Sequence, residues 1–167
     1  MNNVTITTDG VPLPTWSDSI RSYALKVLDE VKRDNWELSI MFCDDKTITA
    51  LNGQYRNKNE PTDILSFNLG ETVKKGKKKV YLPGDIVISL ETLRENAQYF
   101  QISEDEELRR LIIHGILHLD GMDHGSAILD TENDEPMLIF QEEILNRLKN
   151  ENIIPLESSL AAYGVKN

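Results

Sequence analysis

Apolar and polar residues alternate around Val4 and Ile6, which predicts a first strand. The spacing then becomes helical at Trp16, Ile20, Ala24, Val27, Leu28 and Val31, behind Pro14 and Thr15. Leu38, Ile40 and Phe42 alternate as a second strand, and Asp44 with Asp45 offers an N-cap for a short helix carrying Ile48, Leu51 and Tyr55. Two more strands are predicted at 62–67 and 85–89. Between them, 70–80 holds five lysines and two glycines, a composition that cannot build a packed core and predicts a solvated loop.

Helices dominate from there on. Ser89 can cap one that carries Leu90, Leu93 and Ala97, and Ser103 with Glu106 three residues on is a capping-box signature for the next. In that second helix the acidic run 104–107 suits the positive N-terminal end. Leu108, Leu111, Ile112, Ile116, Leu117 and Leu119 make it apolar on much of its circumference, and Gly121 suits its stop. It is expected to be the buried central helix. A last helix should begin between Thr131 and Asp134, tolerate Pro136 in its first turns, and present Met137, Phe140, Ile144 and Leu148. The tail, 153–167, has no clear period. Early strands and late helices predict an α+β or mixed α/β fold, one domain over 1–167, with a small mixed sheet packed by helices around the central one.

Composition narrows the class. A chain of 167 residues with 40% apolar content can bury a core without disulfides or structural metal. The single cysteine, Cys43, lies in an apolar run, so no intrachain disulfide forms, a thiolate-rich zinc site is excluded, and a small buried thiol is expected. No apolar run approaches the roughly 18 residues of a membrane span, and residues 1–15 lack a secretory pattern, so a cytoplasmic location is expected. The net charge of −10 argues against a nonspecific polyanion binder, but it is uneven. Residues 1–100 carry 13 basic and 14 acidic side chains, and the remainder 5 and 14. A nucleic acid would meet the first part.

All three histidines fall within eleven residues: His114, His118 and His124. On a helix, positions four apart differ by about 40° around the axis and about 6 Å along it, so His114 and His118 share a face at chelating separation. Gly121 lets the chain leave the helix and lets His124 turn back toward them. Three imidazoles without a thiolate suit one zinc ion per chain, with a fourth position open for chemistry. This spacing, including the glycine seven residues after the first histidine, is that of zincin-type peptidases reading His-Glu-x-x-His-x-x-Gly-x-x-His. The glutamate base of that pattern is absent, because position 115 is Gly115.

The run His114-Gly115-Ile116-Leu117-His118-Leu119-Asp120-Gly121-Met122-Asp123-His124 resembles the signature of the YbeY endoribonucleases, departing from it at Met122, where tyrosine is usual. Leu51-Asn52 with Tyr55-Arg56-x-Lys58, then 61–67 and 84–89, resemble further motifs of that family in the same order. Asn68 stands where proline is usual, and the lysine-rich segment lies outside the signature. The resemblance implies a zinc-dependent endoribonuclease that cleaves single-stranded RNA, working with the small ribosomal subunit in maturation of its RNA 3′ end and in ribosome quality control. Neither DNA nor a membrane is an expected partner.

By the same resemblance Arg56 is the functional arginine, whose planar guanidinium suits a scissile phosphate, and it joins His114 as a candidate for the catalytic step. Asp63, Asp85, Asp120 and Asp123 are candidate acceptors for ligand N–H groups or proton carriers. Arg56, Lys58, Lys74, Lys75, Lys77, Lys78 and Lys79 are candidate RNA contacts. Two alternatives stand beside this one: a zinc peptidase-like hydrolase, opposed by Gly115, and a metal-stabilised ribosome assembly factor with little catalysis of its own.

Overall fold

The computed structural model describes residues 1–122 and 131–155. In chain order the elements are β1 (Asn3–Asp9), α1 (Ser17–Glu30), β2 (Glu37–Cys43), α2 (Asp45–Arg56), β3 (Ile64–Lys75), β4 (Lys78–Ser89), α3 (Leu90–Phe100), α4 (Glu104–Leu117) and α5 (Thr131–Arg147). The sheet order is β1-β2-β4-β3, with β1, β2 and β4 parallel and β3 antiparallel to β4. This is the expected α+β fold with a small mixed sheet.

The two faces of the sheet are unequal. Leu38, Ile40, Phe42, Ile86 and Ile88 point to one side and meet α1, α3 and α4 in the main core. Met41, Cys43, Leu65, Phe67 and Val87 point to the other and meet Ile48, Leu51 and Tyr55 of α2. Cys43 is fully buried there, and burial pushes its thiol up to about 12, so it is an inert packing residue.

The predicted caps form. Asp44, Ser89 and Ser103 each accept a hydrogen bond from the backbone N–H three residues on, at Thr47, Thr92 and Glu106. The capping box is only half made, since the Glu106 carboxylate pairs with Arg110 instead. In the tail, Ile153 and Ile154 are buried, and their N–H groups donate to Asp105 Oδ1 at 2.6 and 2.8 Å.

The lysine-rich segment is not a loop. Lys74 pairs with Lys79 and Lys75 with Lys78 in a β3–β4 ribbon that turns at Gly76, whose φ is 66°. A two-stranded ribbon satisfies its backbone through the ladder and needs no core, so the lysine content argued against packing but not against strand. The lysines are exposed, and Lys75 Nζ lies 2.8 Å from Glu37.

Candidate metal centre

The site begins with the close approach of α4 to the sheet. A Cβ placed on Gly115 would lie 2.8 Å from Ile86 Cδ1 and 3.1 Å from Ile64 Cδ1, so glycine lets the helix ride this low on β3 and β4 without displacing either isoleucine. The residue that removes the peptidase base is therefore also the one that seats the histidine helix. After Leu117 the chain widens into a π-turn, His118–Met122, with Gly121 at φ 83°. His118 stays in register with His114, and the chain leaves through a backbone conformation that glycine adopts at little cost.

The two imidazoles then meet. His114 Nε2 and His118 Nε2 are 2.9 Å apart, with ring centroids 4.5 Å apart. His114 Nδ1 lies 2.7 Å from Gln141 Oε1. The amide orientation is set by Gln141 Nε2, which donates to the Glu142 carboxylate at 3.2 Å. An amide oxygen only accepts, so His114 Nδ1 carries the proton and its Nε2 offers a lone pair. His118 Nε2–H donates to that lone pair. Exchanging this one proton for a cation leaves both Nε2 lone pairs aimed into the same gap, which is the donor chemistry that zinc takes.

Gln141 was not among the predicted site residues. It is buried on α5, four residues after Met137 and three before Ile144, so it interrupts the apolar stripe of that helix. A polar residue on a core stripe was the available signal. Glu142 anchors it in turn: Arg110 Nε and Nη2 each donate to Glu142 at 3.0 Å, and Arg110 Nη1 donates to Glu106 at 3.2 Å. The Arg110 bond holds the Glu142 carboxyl below its ordinary range, and Glu142 raises Arg110 in return.

The predicted acids are distributed differently. Asp120 Oδ1 accepts from Arg33 Nε at 2.6 Å. Asp63 accepts from Asn96 Nδ2 at 3.2 Å and Thr62 Oγ1 at 3.4 Å. Asp85 is exposed and, two residues from Val87, shares the α2 face of the sheet, opposite to Ile86 and Gly115. Arg56 ends α2 with its side chain exposed, as is that of Lys58, and the five hairpin lysines line the ribbon. Asp123 and His124 lie outside the described residues. Among the described residues no set of three or more His, Cys, Asp or Glu side chains converges on one point; two histidines do.

One buried acid was not predicted. Glu107, two turns before His114 on α4, is 6% exposed. Desolvation raises its pKa, and Asp63 reinforces the shift.

Comparison with known proteins decides the family. A family model, Endoribonuclease YbeY, matches residues 4–149, from β1 past the end of α5. The chain belongs to the YbeY family. A YbeY endoribonuclease of Treponema denticola is 43% identical over 155 residues, covering 91% of this chain and 97% of the relative. One from Treponema pallidum is 42% identical over 146 residues, covering 87% and 89%. The solution structure of a Thermotoga maritima protein superposes with a TM-score of 0.58 at 26% identity, covering 93% of this chain and 96% of the other.

In this YbeY chain a cleft of about 700 Å³ opens beside the histidine pair. His118 and Asp120 form one side, Arg33, Trp36 and Tyr81 another, and Asn68 on β3 contributes to the rest. The cleft is thus continuous with the edge of the candidate metal centre. Among the described residues no helix is long and apolar enough to cross a membrane.

Proposed function

We propose that the chain is a zinc-dependent, single-strand-specific endoribonuclease of small-subunit ribosomal RNA 3′-end maturation and ribosome quality control, acting in the cytoplasm. The observation that carries this reading is the facing pair of His114 and His118 Nε2 atoms, 2.9 Å apart, in a chain whose relatives are named endoribonucleases. His114, His118 and His124 would hold one zinc ion, the ligand set of a zincin-like site. Bound zinc supplies Lewis acidity toward a phosphoryl oxygen, which serves phosphodiester cleavage without a glutamate base.

The protein's own groups do the rest. Gln141 holds His114 in the tautomer with a free Nε2. Arg56 clamps the scissile phosphate, and Lys58 with Lys74, Lys75, Lys77, Lys78 and Lys79 draws the RNA backbone to an otherwise acidic body. A peptidase-like reaction is opposed at Gly115, where a glutamate side chain would have to enter between Ile64 and Ile86.

Chelation tests the reading. A core of this size folds without metal, so removing zinc should abolish cleavage of single-stranded RNA while far-ultraviolet circular dichroism stays unchanged. Unfolding on chelation would make the metal structural, and RNA cleavage that survives chelation would remove the metal from the reaction.

A further inference from the structure

The cleft beside His118 has a composition that the metal centre does not require. Tyr81 and Trp36 lie with ring centroids 5.1 Å apart at a tilt of 40°, and the Arg33 guanidinium carbon is 6.0 Å from the Trp36 ring. This wall is built by backbone as much as by side chains. Tyr81 N–H donates to Asn35 O at 2.8 Å, tying the start of β2 to β4, and Lys32 and Asn35 adopt positive φ on either side of Arg33. Arg33 is thereby held across the cleft mouth, its Nε donating to Asp120 Oδ1 at 2.6 Å. Among the described residues nothing takes a hydrogen bond from its Nη1 or Nη2. Among those residues the two terminal nitrogens of this half-exposed guanidinium therefore face no acceptor, and the Asp120 charge that would repel an anion is already paired.

We propose that this cleft is a nucleotide subsite flanking the metal centre: one unpaired RNA base stacks on the half-buried Tyr81 ring, which the buried Trp36 backs, and its phosphate sits on Nη1 and Nη2 of Arg33. The inference rests on the endoribonuclease reading above and adds a place where the strand beside the cut is held. A volume of about 700 Å³ falls within the usual range for small-ligand sites and admits a splayed nucleotide rather than a stacked helix, which favours single strands. Stacking is indifferent to base identity, so the subsite should hold RNA without strong sequence preference.

The test uses the full chain with zinc. The two tryptophans, both buried, serve as probe and control: Trp36 lies at the cleft behind Tyr81, whereas Trp16 packs edge-on against Phe42 away from it. On titration with 5′-AMP, which has no bond to cleave, the Trp36 indole N–H resonance should shift and that of Trp16 should not. Binding of a fluorescein-labelled single-stranded oligoribonucleotide, followed by anisotropy, should weaken about 5- to 100-fold in Tyr81→Leu and recover in Tyr81→Phe. Arg33→Gln, which unpairs Asp120 and is therefore checked for an unchanged far-ultraviolet circular dichroism spectrum, should flatten the plot of log affinity against log salt by about 0.7. Cleavage of the same oligonucleotide by wild type is measured in parallel. If wild type cleaves RNA while Trp36 stays silent, or while Tyr81→Leu and Arg33→Gln bind like wild type, the subsite is wrong and the nuclease reading stands. If wild type neither binds nor cleaves RNA, both fall. Equal losses in Tyr81→Leu and Tyr81→Phe would overturn the stacking role.

Discussion

Gly115→Ala probes the contact on which the site geometry depends. The added methyl would sit 2.8 Å from Ile86 Cδ1 and 3.1 Å from Ile64 Cδ1, inside ordinary van der Waals separation and against fully buried Ile86. Overpacking of this kind costs about 1–3 kcal/mol. Replacing glycine by alanine inside a helix returns about 1 kcal/mol, because Gly115 has ordinary helical backbone and loses the flexibility of the unfolded chain. The net expectation is a loss of about 0–2 kcal/mol, or up to about 8 °C in Tm for a chain of this size.

A value near zero would be ambiguous alone, so the decisive quantity is the coupling to Ile86→Val, which removes the nearest atom. By itself Ile86→Val should cost about 0.5–1.5 kcal/mol. In the double variant the valine makes room for the alanine, so the two losses should fall short of their sum by about 1 kcal/mol. Urea unfolding of the metal-free chain measures this without a contribution from metal binding. Losses that add within about 0.5 kcal/mol would refute the claim that glycine is there to seat α4 on the sheet.

Three further substitutions test Gln141, Arg56 and Glu107 separately. Gln141→Leu should lower zinc affinity about 10- to 100-fold in competition with a chromophoric chelator, because His114 loses the acceptor that fixes its tautomer; unchanged affinity would remove Gln141 from the site. Arg56→Lys should reduce RNA cleavage at least tenfold with zinc still bound, since an ammonium cannot hold a phosphate bidentately, and full activity would reject the clamp. Glu107 keeps its proton to higher pH in the folded chain than in the unfolded one, so its contribution is full below its ordinary value of 4.5 and is lost as pH rises through the raised value. The groups facing it are Asp63, Glu106 and Glu142, which raise it further, and Arg110, which lowers it. Glu107→Gln should therefore gain stability at pH 7 and none at pH 4 in thermal unfolding, and an equal change at both would contradict the assignment.

The elements that local chemistry dictates were legible in the residues. Alternation marked β1 and β2, Asp44, Ser89 and Ser103 marked three helix starts, and the spacing of His114 and His118 put two imidazoles together. The β3–β4 ribbon was not legible as strand, because its lysines obey no burial pattern and its ladder pairs like with like at Lys74 and Lys79. The sequence points to aspartates as partners of a metal-bound imidazole, whereas the acceptor at His114 is Gln141, twenty-seven residues on, brought there by packing of α5 on α4. Arg33 carries no signature at all in one dimension. Only the turn after α1 and the strand pairing of Tyr81 bring it to Asp120.

We assign His114 and His118 to a metal site that cuts RNA. The most direct test of that assignment is zinc-replete incubation of a labelled single-stranded RNA, beside an unstructured protein substrate, with wild type and a folded His118→Ala variant. The account predicts RNA cleavage by wild type, at least a hundredfold loss in the variant, and an intact protein substrate in both. Equal RNA cleavage by the two enzymes, or cleavage of the protein substrate by zinc-loaded wild type while the RNA survives, would contradict it.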